Sequence, residues 1–187
     1  MYTTITDVKA QLGADVSTDD TIITSKIVAA QAEIDRLLGR TFESATATKS
    51  YNEFYAGFDP RGRILLLDSD LLSVTTLTNG DGTVIPSSGY WLEPQNATPY
   101  STVRLKSSYS WSFDDDGQVT VLGTWGYSAQ APADIANICT ELAIYLYKIK
   151  DTPTQMGTVT PDGGSIPLPG PLYKHVQSIM RIYKSLV

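Results

Sequence analysis

Apolar residues near the start of the chain recur at helical spacing. Thr18 can cap the helix they predict, and Gly39 can end it. A shorter helix is predicted before it, from Thr4 to Leu12, because Thr4 and Asp7 have capping-box spacing and Gly13 supplies a stop. The longer helix carries one apolar stripe suited to packing in a bundle, formed by Ile23, Ile27, Ala30, Ile34 and Leu37.

Helical spacing returns after Pro132. Pro132 or Ala133 opens a helix with one apolar face, which consists of Ile135, Ile138, Leu142, Leu146 and Ile149. Residues 156–171 then hold four glycines and four prolines, a composition that predicts an extended connector. A last helix is predicted from Pro171, with an apolar stripe formed by Leu172, Val176, Ile179, Tyr183 and Leu186.

Between these helices the pattern is typical of short strands. The turn sequence Asn79-Gly80-Asp81-Gly82 favours a hairpin, and 94–99 and 114–117 favour loops. Strands so closely followed by turns favour antiparallel pairing. The predicted strands are Arg63–Leu67, Leu72–Thr78, Thr83–Ile85, Tyr90–Glu93, Val103–Leu105 and Gln118–Trp125.

These elements predict an α+β fold, in which a helical bundle carries an inserted antiparallel β domain and ends in an extended linker plus a helix. Residues 1–42 and 132–152 are assigned to the bundle, 43–131 to the β region, and 153–187 to the Pro/Gly linker and a C-terminal docking helix. The 187 residues, 42% hydrophobic and 18% charged, suffice for a core.

Charge and cysteine content narrow the function. A net charge of −6 disfavours sequence-specific nucleic-acid binding, which needs a basic surface. One cysteine excludes an internal disulfide, and the absence of a signal segment or a long apolar run predicts a cytoplasmic product without a membrane span. From Gly163 onward there is no acid, and Lys174, Arg181 and Lys184 make this end basic, which favours docking onto an acidic surface or simply stabilises a helix C-terminus.

Residues that carry catalysis or bind metals are few. His175 and Cys139 are the single histidine and cysteine, too few for a zinc site, and each is better explained as a surface or core residue. Asp114-Asp115-Asp116 and Asp68-Ser69-Asp70 resemble calcium ligands in spacing, but neither follows the EF-hand pattern, and turn residues explain them better. The sequence therefore predicts no enzyme, no cofactor and no metal.

Aromatic residues cluster in the β region. They could form a face that binds a sugar or a partner protein, or they could pack within the sheet, as strands favour aromatic residues. Packing is the preferred interpretation, and a protein interface is the next. The residues concerned are Tyr90, Trp91, Tyr100, Tyr109 and Trp111.

The order of several short motifs resembles that of phage head–tail connector proteins, the adaptor or head-completion family of tailed bacteriophages. The likeness runs over most of the chain, and its motifs are capping, turn and core residues rather than a catalytic signature. The stretch from Tyr100 to Gly117 departs from the family pattern. The motifs are Tyr2-Thr3-Thr4, Asp7-Val8-Lys9, Leu12-Gly13, Asp19-Asp20, Ile34-Asp35, Gly39–Phe42, Leu71–Val74, Leu77–Asn79, Gly123–Tyr127, Pro132–Asp134 and Ile166–Tyr183.

The resemblance implies a structural virion protein, made in the cytoplasm of a host bacterium and located in the neck. Such proteins form an oligomeric ring, usually a dodecamer, which joins the portal to the next neck or tail protein, a stopper or a tail terminator. The ring extends the channel through which DNA passes during genome ejection, without sequence-specific binding. An acidic body suits this role because it repels DNA.

The predicted docking element for the portal is the C-terminal segment from Ser165. Its connector separates it from the preceding helix, so it can reach a partner or fold back onto its own bundle. The residues assigned to docking are Leu172, Lys174, Val176, Ile179, Arg181, Tyr183, Lys184 and Leu186.

Two other functions stay open from sequence. The aromatic β region also fits a carbohydrate-binding or receptor-binding module of a phage tail or cell-surface protein. Paired acids fit a small hydrolase, although no spacing singles out a pair. Neither explains the basic terminal helix.

Overall fold

Four α-helices and seven strands make up the described part of the chain, which in this computed structural model comprises residues 1–13, 19–59, 61, 63–113, 117–149 and 170–183. The chain divides into two units. One combines Met1–Gly39 with Ala131–Leu186, and the other is Arg40–Gln130. The first contains the helices and the second an antiparallel sheet, so the predicted α+β class is confirmed.

The first two helices have caps that follow from their sequence. Helix α1 (Ile5–Leu12) begins at a capping box in which the Thr4 hydroxyl accepts from the Asp7 amide and the Asp7 carboxylate accepts from the Thr4 amide. Helix α2 (Asp20–Leu38) ends at Gly39, whose positive φ of 64° favours glycine. Asp19 occupies the N-cap position of α2, and the predicted cap Thr18 lies outside the described residues.

The apolar stripe of α2 faces the interior of the helical unit. Ile23, Ile27, Ala30 and Ile34 are buried as the periodicity predicts. The stripe then ends on Leu38, which is buried, whereas Leu37 is half-buried. A spacing of four instead of three fits better here because 3.6 residues per turn let the face drift along a helix of 19 residues.

Helices α3 (Ala133–Lys148) and α4 (Gly170–Tyr183) complete the helical unit. α3 begins after Pro132 and buries the predicted face through Leu146, while Ile149 lies just beyond its end. Residues 156–169 of the predicted connector lie outside the described residues, and its last two, Gly170 and Pro171, are the first residues of α4. Polar contacts also join the unit: the Thr3 and Thr140 hydroxyls are 2.6 Å apart, and the Tyr147 hydroxyl donates to Asp19 at 2.5 Å.

The second unit is one antiparallel sheet whose main path runs β1-β7-β3-β6-β5, with β2 and β4 pairing only with β3. All pairs between named strands are antiparallel, as predicted. The strands are β1 (Ala45–Tyr51), β2 (Phe58–Asp59), β3 (Ile64–Thr78), β4 (Val84–Ile85), β5 (Tyr90–Glu93), β6 (Tyr100–Leu105) and β7 (Val119–Trp125).

The strand prediction needs three corrections. β1 and β2 have no counterpart in it. β3 is a single strand of 15 residues, although the prediction breaks it at Asp68-Ser69-Asp70. β6 begins at Tyr100, so the stretch that matched no family pattern starts with a strand and becomes a loop only at Lys106. The predicted Asn79–Gly82 turn is confirmed: it joins β3 to β4, with Gly82 at φ 80°.

Candidate interaction surfaces

The apolar side of α4 is packed inside the helical unit. Val176 and Ile179 are only 7% and 5% exposed. They line a small apolar pocket together with Ile34, Leu37 and Leu38 of α2 and with Ile135 and Ile138 of α3. The pocket holds only about 10 Å³, so these side chains are closely packed. Two residues assigned to portal docking therefore contact the chain's own bundle.

Other residues assigned to docking lie differently. Lys174 and Arg181 are exposed, whereas Tyr183 is half-buried and its hydroxyl donates to Asp134 at 3.2 Å. Ile182, which the stripe did not include, is 71% exposed. The side chain of Leu172 and the residues Lys184 and Leu186 lie outside the described part. The exposed face of α4 thus presents two cations and an isoleucine.

A second candidate surface is an open groove on the sheet, of about 500 Å³. Three residues of the aromatic cluster, Tyr90, Trp91 and Tyr100, line it together with Leu72 and Leu92. Trp91 is 45% exposed, and the Lys106 ammonium lies 5.4 Å from its ring centroid. Trp91 therefore faces solvent, whereas Tyr90 and Tyr100 are half-buried against the sheet core.

The rest of the aromatic cluster packs in the sheet core. Trp111 is 8% exposed and its ring lies 5.2 Å from that of Phe58, while Tyr109 is half-buried against the same core. The preferred interpretation, packing, thus describes four of the five aromatic residues, and Trp91 is the exception.

Buried Asn79 fastens the loop that follows β6. Its side-chain amide donates to the Ser110 carbonyl at 3.1 Å, and its side-chain oxygen accepts from the Ser112 amide at 3.0 Å and from the Gly80 amide at 3.1 Å. The sequence pattern indicates only a turn at Asn79. A lone asparagine in a turn gives no sign that its side chain reaches a loop more than thirty positions away.

The Asp68-Ser69-Asp70 run lies within β3 and makes ion pairs. Asp68 accepts from the Lys49 ammonium at 3.0 Å and from the Tyr51 hydroxyl at 2.9 Å. Burial would raise the pKa of Asp68, but these hydrogen bonds outweigh it and lower the pKa below 3.8. Asp70 pairs with Arg40 at 3.4 Å, yet burial prevails there and raises its pKa.

The Tyr51 hydroxyl belongs to the same cluster, because it donates to Asp68. Burial and the hydrogen bond to Asp68 both raise the pKa of its hydroxyl, so it stays protonated as a donor. The cluster joins neighbouring parts of the sheet, and this explains how a strand can continue through two acids.

Of the remaining candidates, only His175 and Cys139 lie in the described part of the chain. His175 is exposed, and its Nδ1 lies 3.3 Å from a Glu141 carboxylate oxygen, while Cys139 is fully buried in α3. Asp114–Asp116 lie outside the described residues. Among the residues that are described, no three His, Cys, Asp or Glu side chains converge as metal ligands. Within the same residues no helix is long and apolar enough to cross a membrane.

The sequence model of the phage gp6-like head-tail connector protein family matches residues 2–61. This match confirms, over the first third of the chain, the resemblance that the motifs suggested. No curated protein matches the sequence.

Solved structures of gene transfer agent (GTA) particles share the fold. A chain in the neck of an empty GTA particle, computed with C6 symmetry, has a TM-score of 0.65 at 19% identity and covers 97% of this chain and 89% of its own length. A chain in the neck of a native particle, computed with C12 symmetry, has a TM-score of 0.62 at 18% identity, with 91% and 86% covered. A third, in the virion of native GTA, has 0.61 at 19%, with 90% and 79% covered. The whole chain therefore has a fold found in particle necks.

Proposed function

We propose that this chain is a structural protein of the neck of a tailed phage or a related particle. It forms a ring that joins the portal to the next neck or tail protein and extends the DNA channel. The observation that carries the proposal is the likeness of fold to GTA neck chains over nearly the whole length of both chains. The family match over residues 2–61 agrees with it.

The ring is proposed to be dodecameric and to assemble on the portal. A closed ring uses heterologous contacts, in which one face of a subunit meets a different face of its neighbour. Weak contacts of this kind gain from the high effective concentration that tethering on a template provides. The free protein is accordingly expected to be mainly monomeric.

The exposed face of α4 is the proposed portal-docking surface. Lys174 and Arg181 supply positive charge, and Ile182 supplies an apolar contact that is solvated in the free chain. The charges contribute orientation and encounter rate against an acidic partner. Val176 and Ile179 support this surface from inside the helical unit.

The test is a binding experiment with purified portal. Light scattering should show that the full chain alone is a monomer. After mixing with portal, electron microscopy should show a ring of this chain on the portal. Arg181→Glu should weaken this joining. Lys148→Glu is the matched control, because Lys148 is an exposed cation in the last turn of α3 as Arg181 is in α4. A stable ring at low micromolar concentration without portal would contradict the templated mechanism, and no joining at all would contradict the function.

A carbohydrate-binding or receptor-binding module is the second candidate, favoured by the groove beside Trp91. Aromatic rings at a solvated groove can stack on sugar faces. Glycan binding that is lost in Trp91→Ala, with portal joining absent, would support this candidate over the neck protein.

A further inference from the structure

Two strands terminate the main path of the sheet, β1 at one end and β5 at the other. Among the described residues, no strand pairs with the outer edge of either. β1 is seven residues long and pairs with β7 in unbroken register, from Ala45 opposite Trp125 to Tyr51 opposite Val119. An exposed regular edge is a template for another strand, unless charges, prolines or bulges protect it.

β1 has no proline and no bulge, and of its carbonyls that of Ala47 accepts from the Trp125 indole at 2.9 Å. Its first four residues, Ala45–Thr48, are exposed, small and uncharged. Its single lysine, Lys49, is held over the sheet, because its ammonium binds Asp68 and Ser69 and lies 4.9 Å from the Trp125 ring centroid. A lysine fixed in this way does not repel a strand that approaches the edge.

β5 has a charged residue that is neutralised in the same manner. Glu93 accepts from Arg104 on β6 through both carboxylate oxygens, at 2.7 and 3.2 Å. Beside this strand lies the groove lined by Tyr90, Trp91 and Tyr100. The groove lies on the inner side of β5, since its lining also includes Leu72, Ser73 and Val74 of β3, so the outer edge of β5 itself stays open.

We propose that, in the ring, β1 of one copy docks along the outer edge of β5 of the next copy. A ring needs two different surfaces on every subunit, and the two ends of one sheet provide them. Strand addition supplies main-chain hydrogen bonds, and the small alanines and threonines of β1 allow the close approach that such pairing needs. The proposal rests on the neck function, since it assigns the contact by which that ring closes.

Cross-linking in assembled rings tests the contact. Thr48→Cys on β1 and Gln95→Cys at the groove place two exposed thiols on one chain, and native Cys139 is buried. A short bis-maleimide should convert portal-bound rings of the double variant into a ladder of covalent oligomers. A mixture of the two single variants should stop at dimers. Thr48→Cys with Val84→Cys is the control, because Val84 is exposed on β4, which pairs with neither β1 nor β5.

The outcomes separate the two proposals. Rings visible by electron microscopy that give no ladder overturn the edge contact and leave the neck function standing. Absence of any ring on the portal overturns both. Dimers formed by Thr48→Cys alone show that β1 pairs with β1 in a symmetric contact, which also overturns the assignment.

Protecting the edge gives an independent test. The double change Thr46→Lys and Thr48→Lys should lower the yield of rings at least about tenfold, which corresponds to a loss of about 1.4 kcal/mol in binding free energy between neighbouring subunits. The melting temperature of the monomer should stay unchanged. Val84→Lys should leave the yield unchanged. Hydrogen exchange of the outward-facing β1 amides, those not bonded to β7, should be fast in the monomer and slow in the ring. Slow exchange already in the monomer means that the chain's own segments cover this edge, and it contradicts the proposal.

Discussion

Replacing Ile179 by alanine is expected to destabilise the helical unit, and the same change at Ile182 is not. Ile179 is 5% exposed and contacts α2 and α3 side chains across a pocket of about 10 Å³, whereas Ile182 is 71% exposed on the same helix. The pair therefore compares one substitution in two environments. It also separates the contribution of α4 to folding from its contribution to docking.

The magnitude follows from burial. An Ile→Ala change in a core costs about 2–5 kcal/mol, because transfer free energy is lost and a cavity is left behind. The pocket around Ile179 is already closely packed, so the side chains around it have little room to collapse into a new cavity. A surface change such as Ile182→Ala is expected to stay within about 0.5 kcal/mol.

Urea unfolding can follow each unit separately. All three tryptophans, Trp91, Trp111 and Trp125, lie in the sheet unit, so their fluorescence reports that unit, while circular dichroism at 222 nm reports mainly the helices. Ile179→Ala should shift the 222 nm transition more than the fluorescence transition. Ile182→Ala should shift neither, but should weaken portal joining. Equal and small effects of both changes on the 222 nm transition would refute the packing of α4 described above.

Three further predictions concern single side chains. Asn79→Ala should destabilise the sheet unit by about 1–3 kcal/mol, measured by tryptophan fluorescence in urea, since it leaves loop amide and carbonyl groups without partners; an unchanged midpoint would contradict this anchoring role. The lowered pKa of Asp68 stabilises the wild-type protein fully above pH 3.8, and this stabilisation is lost as the pH falls through the lowered pKa. The difference in urea midpoint between wild type and Asp68→Asn should therefore shrink between pH 5 and pH 2.5. A difference independent of pH would count against the hydrogen bonds from Lys49 and Tyr51. His175→Ala should leave portal joining and ring formation near wild type, and loss of assembly in this variant would reveal a role that its exposed position does not suggest.

The helices were largely predictable because their signals are local. The capping box at Thr4 and the glycines after α1 and α2 act within a few residues, and four members of the α2 stripe are buried as the period requires. For α4, the same apolar stripe fits both a partner's groove and the chain's own bundle. Periodicity shows which side of a helix is apolar, but not what covers it.

The strands were predicted less well because their pairing is not local. β1 consists mainly of alanine and threonine, and its only buried side chain is Tyr51, so no alternation marks it. β3 can continue through Asp68 and Asp70 because both carboxylates form ion pairs with cations from earlier in the chain. Lys49 pairs with Asp68, and Arg40 pairs with Asp70. The groove likewise depends on β3, β5 and β6 coming together. Contacts between distant segments leave little trace in the sequence of either segment.

The two ends of the inserted sheet unit are joined to each other. The Tyr127 amide donates to the Thr41 carbonyl at 2.8 Å, the Ser128 hydroxyl donates to the Phe42 carbonyl at 3.2 Å, and Glu43 forms a bridge with Ser128. Bringing α2 and α3 together around a disordered insertion of 91 residues would cost about 4 kcal/mol of chain entropy. Once the sheet has folded, these contacts hold its ends together and most of that cost is gone. We therefore expect the sheet unit to form first and the split helical unit to close afterwards, with little chain entropy left to lose.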